Sequence, residues 1–326
     1  MLGRDYRKNP DDAFPSHSIL PIIQMIPPKL RKLLKKTVSR LGYKKPLTIH
    51  PDPVPNDAAS SQILLQLEIR RWVQDGRVLP SFQDMGFQVF SQTDEDGILL
   101  FLFSVIGARN KISVEICAGD GFECNTANLI LNHGWRGLLV DGNQELVAKG
   151  TEFYRRSSRT CGFPPAFVCS WVTRDNVNDL LTGQGFTGEV DLLSLDLDGV
   201  DYWIWESITA IAPRVVVLEY QDILGPDRSW TVPYADDFDG FSRSHTNGHP
   251  NYCSASLPAF VKLGRRKGYR LVAINRLGYN AFFLREGIAV DLIPTLEVKD
   301  CFSHQKVVMG MRERFPLIKD FQWVEV

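Results

Sequence analysis

Short apolar runs separated by amphipathic segments fill most of the chain from about residue 90 onward. Seven runs have the aliphatic and β-branched composition of strands: 111–116, 137–140, 166–169, 190–195, 214–218, 270–274 and 281–284. Five helix-compatible segments lie between them: 125–131, 144–155, 174–181, 202–212 and 256–267. Because continuous apolar strands that alternate with helices are buried on both faces, this pattern predicts a mostly parallel sheet covered by helices.

The last two runs are joined by the short segment 275–280, which predicts an antiparallel hairpin at one edge of the sheet. The predicted fold is therefore α/β, with a Rossmann-like, seven-stranded, mostly parallel sheet, an antiparallel edge hairpin and an N-terminal helical extension. We divide the chain into an extension (1–60), a helical lead-in (61–90), a main domain (91–290) and a C-terminal extension (291–326).

The first 60 residues differ in composition from the rest, because they are rich in proline and contain one basic run. In residues 29–41, leucines and a valine at helical spacing alternate with Lys and Arg. Such a helix either makes peripheral contact with an anionic membrane or packs on its own domain. Residues 46–55 resemble an extended linker. Residues 60–80 predict another helix, with Ser60 as its cap.

Composition and charge narrow the functional classes. The 326 residues carry a net charge of -1, which argues against a nucleic-acid partner. Six cysteines without a CxxC pair favour reduced thiols and a cytoplasmic location. No apolar run reaches the length of roughly 18 residues that a membrane span needs, and no signal peptide is expected from the acidic, proline-interrupted start.

A glycine-rich loop follows the first predicted strand. Gly119 and Gly121 allow a sharp turn and a close approach of the backbone to a ligand. Glu115 lies near the carboxyl end of the strand, where ligands of open α/β sheets gather. Asn125 either caps the next helix or contacts the ligand. The spacing matches neither the dinucleotide fingerprint nor a phosphate-binding loop.

Asp141 ends the second predicted strand, 20 residues after Gly121. An acid at this position is suited to accept hydrogen bonds from both ribose hydroxyls of a nucleoside. A glycine loop with this acid, but without donors for pyrophosphate, favours an adenosine-type ligand that lacks phosphates. S-adenosylmethionine is the common ligand of this kind. The alternative is a tight turn beside a surface aspartate.

Several carboxylates follow the fourth and fifth predicted strands. Asp196 and Asp198 alternate along a strand end and should face the same side. Asp201 follows them across a glycine turn, and Glu219 lies at the end of the fifth strand. Converging carboxylates need a compensating positive charge. We consider Mg²⁺ or Mn²⁺ held by Asp198, Asp201 and Glu219, or a raised pKa that makes one carboxylate a general base. Asp201 is alternatively the cap of the helix at 202–212.

The segment 221–255 is long and rich in Gly, Pro and Asp, which predicts a lid over the substrate. Its aromatic residues are expected to form an apolar wall for a sugar or aromatic ring: Trp230, Tyr234, Phe238, Phe241 and Tyr252. His245 is a candidate general base. A metal-binding pair of His245 and His249 is less expected, because Gly248 and Pro250 disfavour a helix there.

Three segments together resemble the FkbM-like branch of class I S-adenosylmethionine-dependent methyltransferases, over residues 90–290: SQTDEDGIL at 91–99, VEICAGDGFECNT at 114–126 and HGWRGLLVDGN at 133–143. Cys117 and Gln221 depart from the family pattern. The resemblance implies that Asp196 and Asp198 lie in the pocket. It also implies a set of cofactor contacts, to which we add Asn143 and Ser170 at the ends of the second and third strands: Gln92, Glu95, Asp96, Gly119, Gly121, Asp141, Asn143 and Ser170.

These observations lead to one main hypothesis and two alternatives. The main hypothesis is an S-adenosylmethionine-dependent O-methyltransferase that acts on a hydroxyl of a sugar, glycan precursor or related small metabolite. The first alternative is a metal-dependent glycosyl- or nucleotidyl-transferase that uses Asp196 and Asp198. The second is a non-catalytic binding protein with the methyltransferase fold. The sequence leaves the oligomeric state open.

Overall fold

The computed structural model describes residues 56–242 and 245–326. The basic helix predicted at 29–41 and the linker at 46–55 lie outside these residues. Within the described ranges, no helix combines the length and the apolar character that crossing a bilayer requires.

A seven-stranded sheet forms the centre of the described chain. In chain order its strands are β1 (Ile112–Ile116), β2 (Arg136–Asp141), β3 (Ala166–Cys169), β4 (Gly188–Leu195), β5 (Ile211–Glu219), β7 (Tyr269–Ile274) and β8 (Asn280–Arg285). Their order in the sheet is β3-β2-β1-β4-β5-β8-β7. The first five strands are parallel, and β8 pairs antiparallel with both β5 and β7. The predicted strands, Rossmann-like sheet and antiparallel edge hairpin are confirmed.

Helices precede and connect these strands. They are α1 (Asn56–Gln74), α2 (Phe82–Met85), α3 (Glu95–Ile106), α4 (Ala127–His133), α5 (Gln144–Arg156), α6 (Val177–Gly183), α7 (Asp201–Ser207), α8 (Leu257–Lys267) and α9 (Gln305–Glu313). Two predictions of helix bounds are wrong. Ser60 lies inside α1 rather than at its cap, and α7 ends at Ser207 because Ile211 and Ala212 belong to β5.

Side chains of the central strands alternate between two apolar layers. On β5, Val216 and Leu218 pack in one layer with Trp205 of α7. Val215 and Val217 pack in the other layer, which also contains residues of α3 and α4. This alternation follows from the two-residue period of a strand, and burial on both faces explains why most strand positions are apolar.

Two short strands, β6 (Trp230–Thr231) and β9 (Val324–Glu325), form a second antiparallel sheet. This pairing fixes the C-terminal extension to the segment after β5. The extension also contains α9, and it therefore packs on the main domain.

The register of the parallel strands brings their carboxyl ends to one edge. Ile116 of β1 pairs with Val140 of β2 and with Leu195 of β4, and Leu195 pairs with Leu218 of β5. The strand order runs in opposite directions on the two sides of the β1–β4 pair. In open α/β sheets, ligands bind in the crevice that forms at such a switch point.

Candidate active site

Four chemically useful side chains leave the sheet at this edge. Cys117 follows β1, Asp141 ends β2, Asp196 follows β4 and Glu219 ends β5. The hairpin between β7 and β8 reaches the same edge, because Asn280 pairs with Glu219. The site therefore combines residues that lie more than 150 positions apart in the sequence.

Asp141 and Gly119 form the nucleoside end of the candidate site. Gly119 has a φ of +57°, and a Cβ added there would meet nothing within 4 Å. Its N–H donates to Oδ2 of Asp141 at 2.7 Å, while Oδ1 accepts from the N–H of Asn143 at 2.8 Å. Each carboxylate oxygen keeps a further lone pair. The carboxylate and the open glycine are what a ribose-binding site requires.

A small cavity of about 40 Å³ lies beside Asp141 and is lined by Cys117, Ser170, Trp171 and Phe238 among others. This enclosed space is smaller than a nucleoside, which would extend beyond it towards Gly119. Ser170 therefore lies in the predicted region, although its hydroxyl donates to the carbonyl of Trp171.

Cys117 adopts a backbone conformation that favours glycine, with a φ of +65°. Its N–H and that of Ala118 both donate to the carbonyl of Val140, at 2.8 and 3.0 Å. The loop thus keeps a glycine-like course and is fixed to β2, while the Cys117 side chain is exposed and lines the cavity.

Two of the predicted cofactor residues instead stabilise the start of α4. Glu115 is buried and accepts hydrogen bonds from the amides of Asn125 and Thr126 and from the Thr126 hydroxyl. Burial raises the pKa of Glu115. The Asn125 side chain donates to the Ser194 hydroxyl at 3.0 Å. These groups satisfy helix amides that would otherwise lack partners.

Gly121 and Asn143 also act on the scaffold. A Cβ on Gly121 would lie 2.7 Å from Leu139 Cδ1 and 2.9 Å from Phe167 Cζ, so this glycine faces the packed core. Asn143 caps α5 by accepting from the amides of Glu145 and Leu146. Neither Gly121 nor Asn143 lines the cavity beside Asp141.

Three further residues predicted as cofactor contacts, Gln92, Glu95 and Asp96, have different environments. Asp96 Oδ2 accepts from three consecutive amides, those of residues 89–91. Burial raises the pKa of Asp96 to about 6 despite these bonds. Glu95 is buried and accepts from Thr93 and from the side-chain amides of Asn275 and Asn280. Only Gln92, which is exposed, lines a cleft of about 440 Å³ that Asp198 and Glu219 also line, which we call the large cleft.

Asp196, Asp198 and Glu219 form a cluster of three carboxylates, which we call the carboxylate group. One oxygen from each residue lies within 4.8 Å of the other two. A hydrogen bond between the Asp196 and Glu219 side chains favours the proton on Glu219, because it raises the pKa of Glu219 and lowers that of Asp196. Burial, followed by the charge of Asp196, raises the pKa of Glu219 well above its usual range. Burial, Asp196 and Asp239 raise the pKa of Asp198 to about 6. Asp198 is thus ionised near neutral pH and adjacent to a proton-sharing pair.

Asp201 does not join this group. Its two oxygens accept from the N–H groups of Leu197 at 2.7 Å and Gly199 at 3.2 Å, which stabilises the turn between β4 and α7. Burial raises its pKa to about 7. The predicted metal set of Asp198, Asp201 and Glu219 is therefore not brought together, because Asp196 takes the third position. The predicted capping role is also wrong, since Asp201 is the first residue of α7 and Val200 occupies the cap.

His245 lies apart from the carboxylate group. Its Nδ1 accepts from the N–H of Asp239 at 3.1 Å, and its ring stacks on Phe238 with 5.7 Å between ring centroids. His249 Nδ1 similarly accepts from the Asn251 amide. Neither histidine lines the cleft. Their nitrogens organise loop backbone in this structure.

The large cleft, of about 440 Å³, opens beside the carboxylate group. Asp198 and Glu219 line it together with Gln92, Tyr279, Lys306 and Arg314. The last two belong to the C-terminal extension, for which the sequence predicted no role. No local motif identifies them, because their position depends on how α9 packs against the loop after β5. The volume is typical of a small-molecule site.

None of the five aromatic residues predicted to form a wall lines the cleft, although Phe238 lines the cavity beside Asp141. Trp230 stacks on Trp323 with 6.1 Å between centroids, and Tyr252 packs edge-on against Phe321 and Trp323. These rings bind the segment to the C-terminal extension instead of facing the cleft. Phe241 is exposed. Residues around 250–254 do line the cleft, so part of this segment adjoins the candidate site.

No protein-family model matches the sequence, and no curated protein matches it. Several solved structures resemble this chain. One is an O-methyltransferase from Bacillus cereus in complex with SAH, which is 13% identical to it. The TM-score is 0.39, and the match covers 77% of this chain and 96% of the other. Another is magnesium protoporphyrin IX methyltransferase from Synechocystis PCC 6803 with bound SAM, with 11% identity, a TM-score of 0.34 and coverage of 78% and 96%. A glycopeptide N-methyltransferase complexed with sinefungin has 10% identity, a TM-score of 0.35 and coverage of 57% and 84%.

Proposed function

We propose that the protein is an S-adenosylmethionine-dependent O-methyltransferase that acts on a hydroxyl of a sugar, glycan precursor or related small metabolite. The observation that carries this proposal is the position of Asp141 beside the open Gly119, with the carboxylate group of Asp196, Asp198 and Glu219 at the neighbouring strand ends. A nucleoside site and a proton-accepting site thus adjoin the same edge of the sheet.

The residues at the nucleoside end suit the cofactor. Asp141 would accept hydrogen bonds from the ribose hydroxyls, and Gly119 would leave room for the ligand next to the backbone. Cys117 and Ser170 line the space beside Asp141. When bound, S-adenosylmethionine supplies a methyl group on a positively charged sulfur. Nearby carboxylates favour such a positive charge.

The carboxylate group supplies the acid–base function. Asp198 lines the cleft and would accept the proton of the acceptor hydroxyl, because its pKa of about 6 leaves it ionised at neutral pH. Glu219 already shares a proton with Asp196, and this bond keeps their combined negative charge low. Asp198 is therefore our candidate general base, with the pair as its support.

Isothermal titration calorimetry with S-adenosylmethionine and S-adenosylhomocysteine tests the proposal. We expect both ligands to bind the full chain and Asp141→Ala to weaken binding at least tenfold. Asp227→Ala is the matched control, because Asp227 is exposed and does not line the candidate site. If neither ligand binds the unaltered protein, the proposal is rejected.

A metal-dependent glycosyl- or nucleotidyl-transferase is the competing proposal. It is favoured by the three carboxylate oxygens within 4.8 Å, an oxygen-rich set of the kind that Mg²⁺ or Mn²⁺ takes. It predicts binding of a nucleotide sugar that requires Mn²⁺ and is insensitive to Asp141→Ala. The two proposals differ in what they require of Asp141, which only the methyltransferase uses to bind its cofactor.

A further inference from the structure

The large cleft has walls of opposite charge. Asp198 and Glu219 line it at the carboxyl ends of the strands, whereas Lys306 and Arg314 line it from the C-terminal extension. A third acid, Asp222 in the loop after β5, lines it beside Arg314. The two cations lie eight positions apart, at the start of α9 and just after its end. A ligand in this cleft would therefore contact acids and bases at the same time.

Arg314 is already committed to contacts within the protein. One guanidinium nitrogen donates to Oδ1 of Asn251 at 2.9 Å, and another donates to Oδ2 of Asp222 at 3.4 Å. Asp222 is buried, so the pair neutralises a charge that would otherwise be costly. Arg314 thus holds α9 against the loop that follows β5, and most of its charge is compensated by Asp222.

Lys306 also acts on Asp222 through its charge, but its ammonium lies beyond hydrogen-bond distance of that carboxylate. Its ammonium lies 4.4 Å from the centroid of the Tyr279 ring, and within the described residues it makes no hydrogen bond or ion pair. Tyr279 is buried, and its hydroxyl donates to Thr93 at 3.4 Å, so the ring is a fixed platform. The Lys306 ammonium is thus held over an aromatic ring, and its hydrogen-bond donors are unused. Such a cation is suited to bind an anion in the cleft.

We propose that the acceptor is a hydroxylated small metabolite with an anionic group, a phosphate or a carboxylate, and that Lys306 binds this group. The inference rests on the proposed function and deepens it. Repulsion from Asp198 and from the negative charge that Asp196 and Glu219 share would keep the anionic group away from the strand ends and direct it to Lys306. The hydroxyl to be methylated then lies against Asp198. The charge separation across the cleft would thus orient the acceptor.

Calorimetry on the full chain, with S-adenosylhomocysteine present, tests this inference with defined probes. The probes are a hexose phosphate and a hexuronic acid, each compared with the uncharged hexose. We expect at least one anionic probe to bind at least tenfold more tightly than the uncharged sugar, and more weakly as salt is added. The preferred probe identifies whether the anionic group is a phosphate or a carboxylate.

A pair of variants assigns the effect to Lys306. Lys306→Gln should weaken the preferred anion at least tenfold, while Lys319→Gln, at an exposed position outside the cleft, should not. Both variants should unfold at the same urea concentration as the unaltered protein. Equal binding of charged and uncharged sugars, no binding of either anion, or equal effects of the two variants would overturn the inference.

The same titrations separate this inference from the proposed function. Lys306→Gln should leave the affinity for S-adenosylhomocysteine unchanged, because Lys306 does not line the cavity beside Asp141. Without cofactor binding but with Lys306-dependent anion binding, only the methyltransferase proposal fails. With cofactor binding but no preference for anions, only the inference about the acceptor fails.

Discussion

The N–H of Gly119 donates a 2.7 Å hydrogen bond to Oδ2 of Asp141, which joins the loop after β1 to the tip of β2. The bond fixes the carboxylate beside a glycine whose side-chain position is open. The amides of Cys117 and Ala118 add two bonds to the Val140 carbonyl. The proposed nucleoside site is therefore organised by the backbone of the free protein, which reduces the ordering cost of binding.

This arrangement predicts that Gly119→Ala impairs cofactor binding more than folding. The added methyl group meets no protein atom within 4 Å, but it occupies the space proposed for the ligand. The positive φ of +57° costs about 1–2 kcal/mol for a residue with a Cβ. We expect at least a tenfold loss of S-adenosylhomocysteine affinity in calorimetry.

Gly134→Ala is the matched control for Gly119→Ala. Gly134 has a φ of +66° and equally open surroundings. It differs from Gly119 in that it ends α4, before β2 begins, and does not belong to the loop after β1. It should lose a similar amount of stability in urea unfolding and keep its affinity. Equal loss of affinity in both variants would mean that strain, not occupation of the site, explains the effect.

A second prediction concerns the pH dependence of stability. The pKa of Asp198 is raised from 3.8 to about 6, so the folded state retains this proton while the unfolded state loses it. Asp198 therefore destabilises the fold as pH rises from about 4 to 6, by at most about 3 kcal/mol. Asp198→Asn should gain stability relative to the unaltered protein across this window, and the gain should be constant above it.

Urea unfolding at several pH values between 4 and 8 measures this difference. Asp227→Asn is the control for the loss of one carboxylate, because Asp227 is exposed and does not line the cleft. Should the Asp198→Asn difference also be flat from pH 4 to 8, the raised pKa and the role of Asp198 as a base tuned to neutral pH would both be contradicted.

A third prediction compares two buried tyrosines. The hydroxyl of Tyr220, near the cleft, has no hydrogen-bond partner among the described residues, whereas Tyr269 donates to the Pro213 carbonyl at 2.7 Å. An unsatisfied buried hydroxyl is costly, and a satisfied one contributes about 1 kcal/mol. Tyr220→Phe should therefore leave stability unchanged or raise it, and Tyr269→Phe should lower it by about 1 kcal/mol in urea unfolding. Comparable losses would show that Tyr220 has a partner.

The sequence was informative wherever a local pattern determines structure. The strands were predictable because burial on both faces makes most of their residues apolar, and Asp141 and Asp196 followed as residues at strand ends. The bound of α7 was missed because Ile211 and Ala212 suit helix and strand equally. Lys306 was missed because its place depends on how the C-terminal extension packs. Asp201 was misassigned because its amide partners lie in a turn whose course depends on tertiary structure.

The departure at Cys117 leads to a final prediction. Its φ of +65° is unfavourable for a residue with a Cβ, and its side chain lines the cavity beside Asp141. Cys117→Gly should relieve strain, offset in part by the greater freedom of glycine in the unfolded chain, for a net gain below about 1 kcal/mol. It should also enlarge the cavity and tighten S-adenosylhomocysteine binding. Cys117→Ala separates these effects, because it removes the thiol and keeps the strain. If binding improves equally in both variants, the thiol limits affinity, whereas weaker binding in both would show that the thiol contributes to the site.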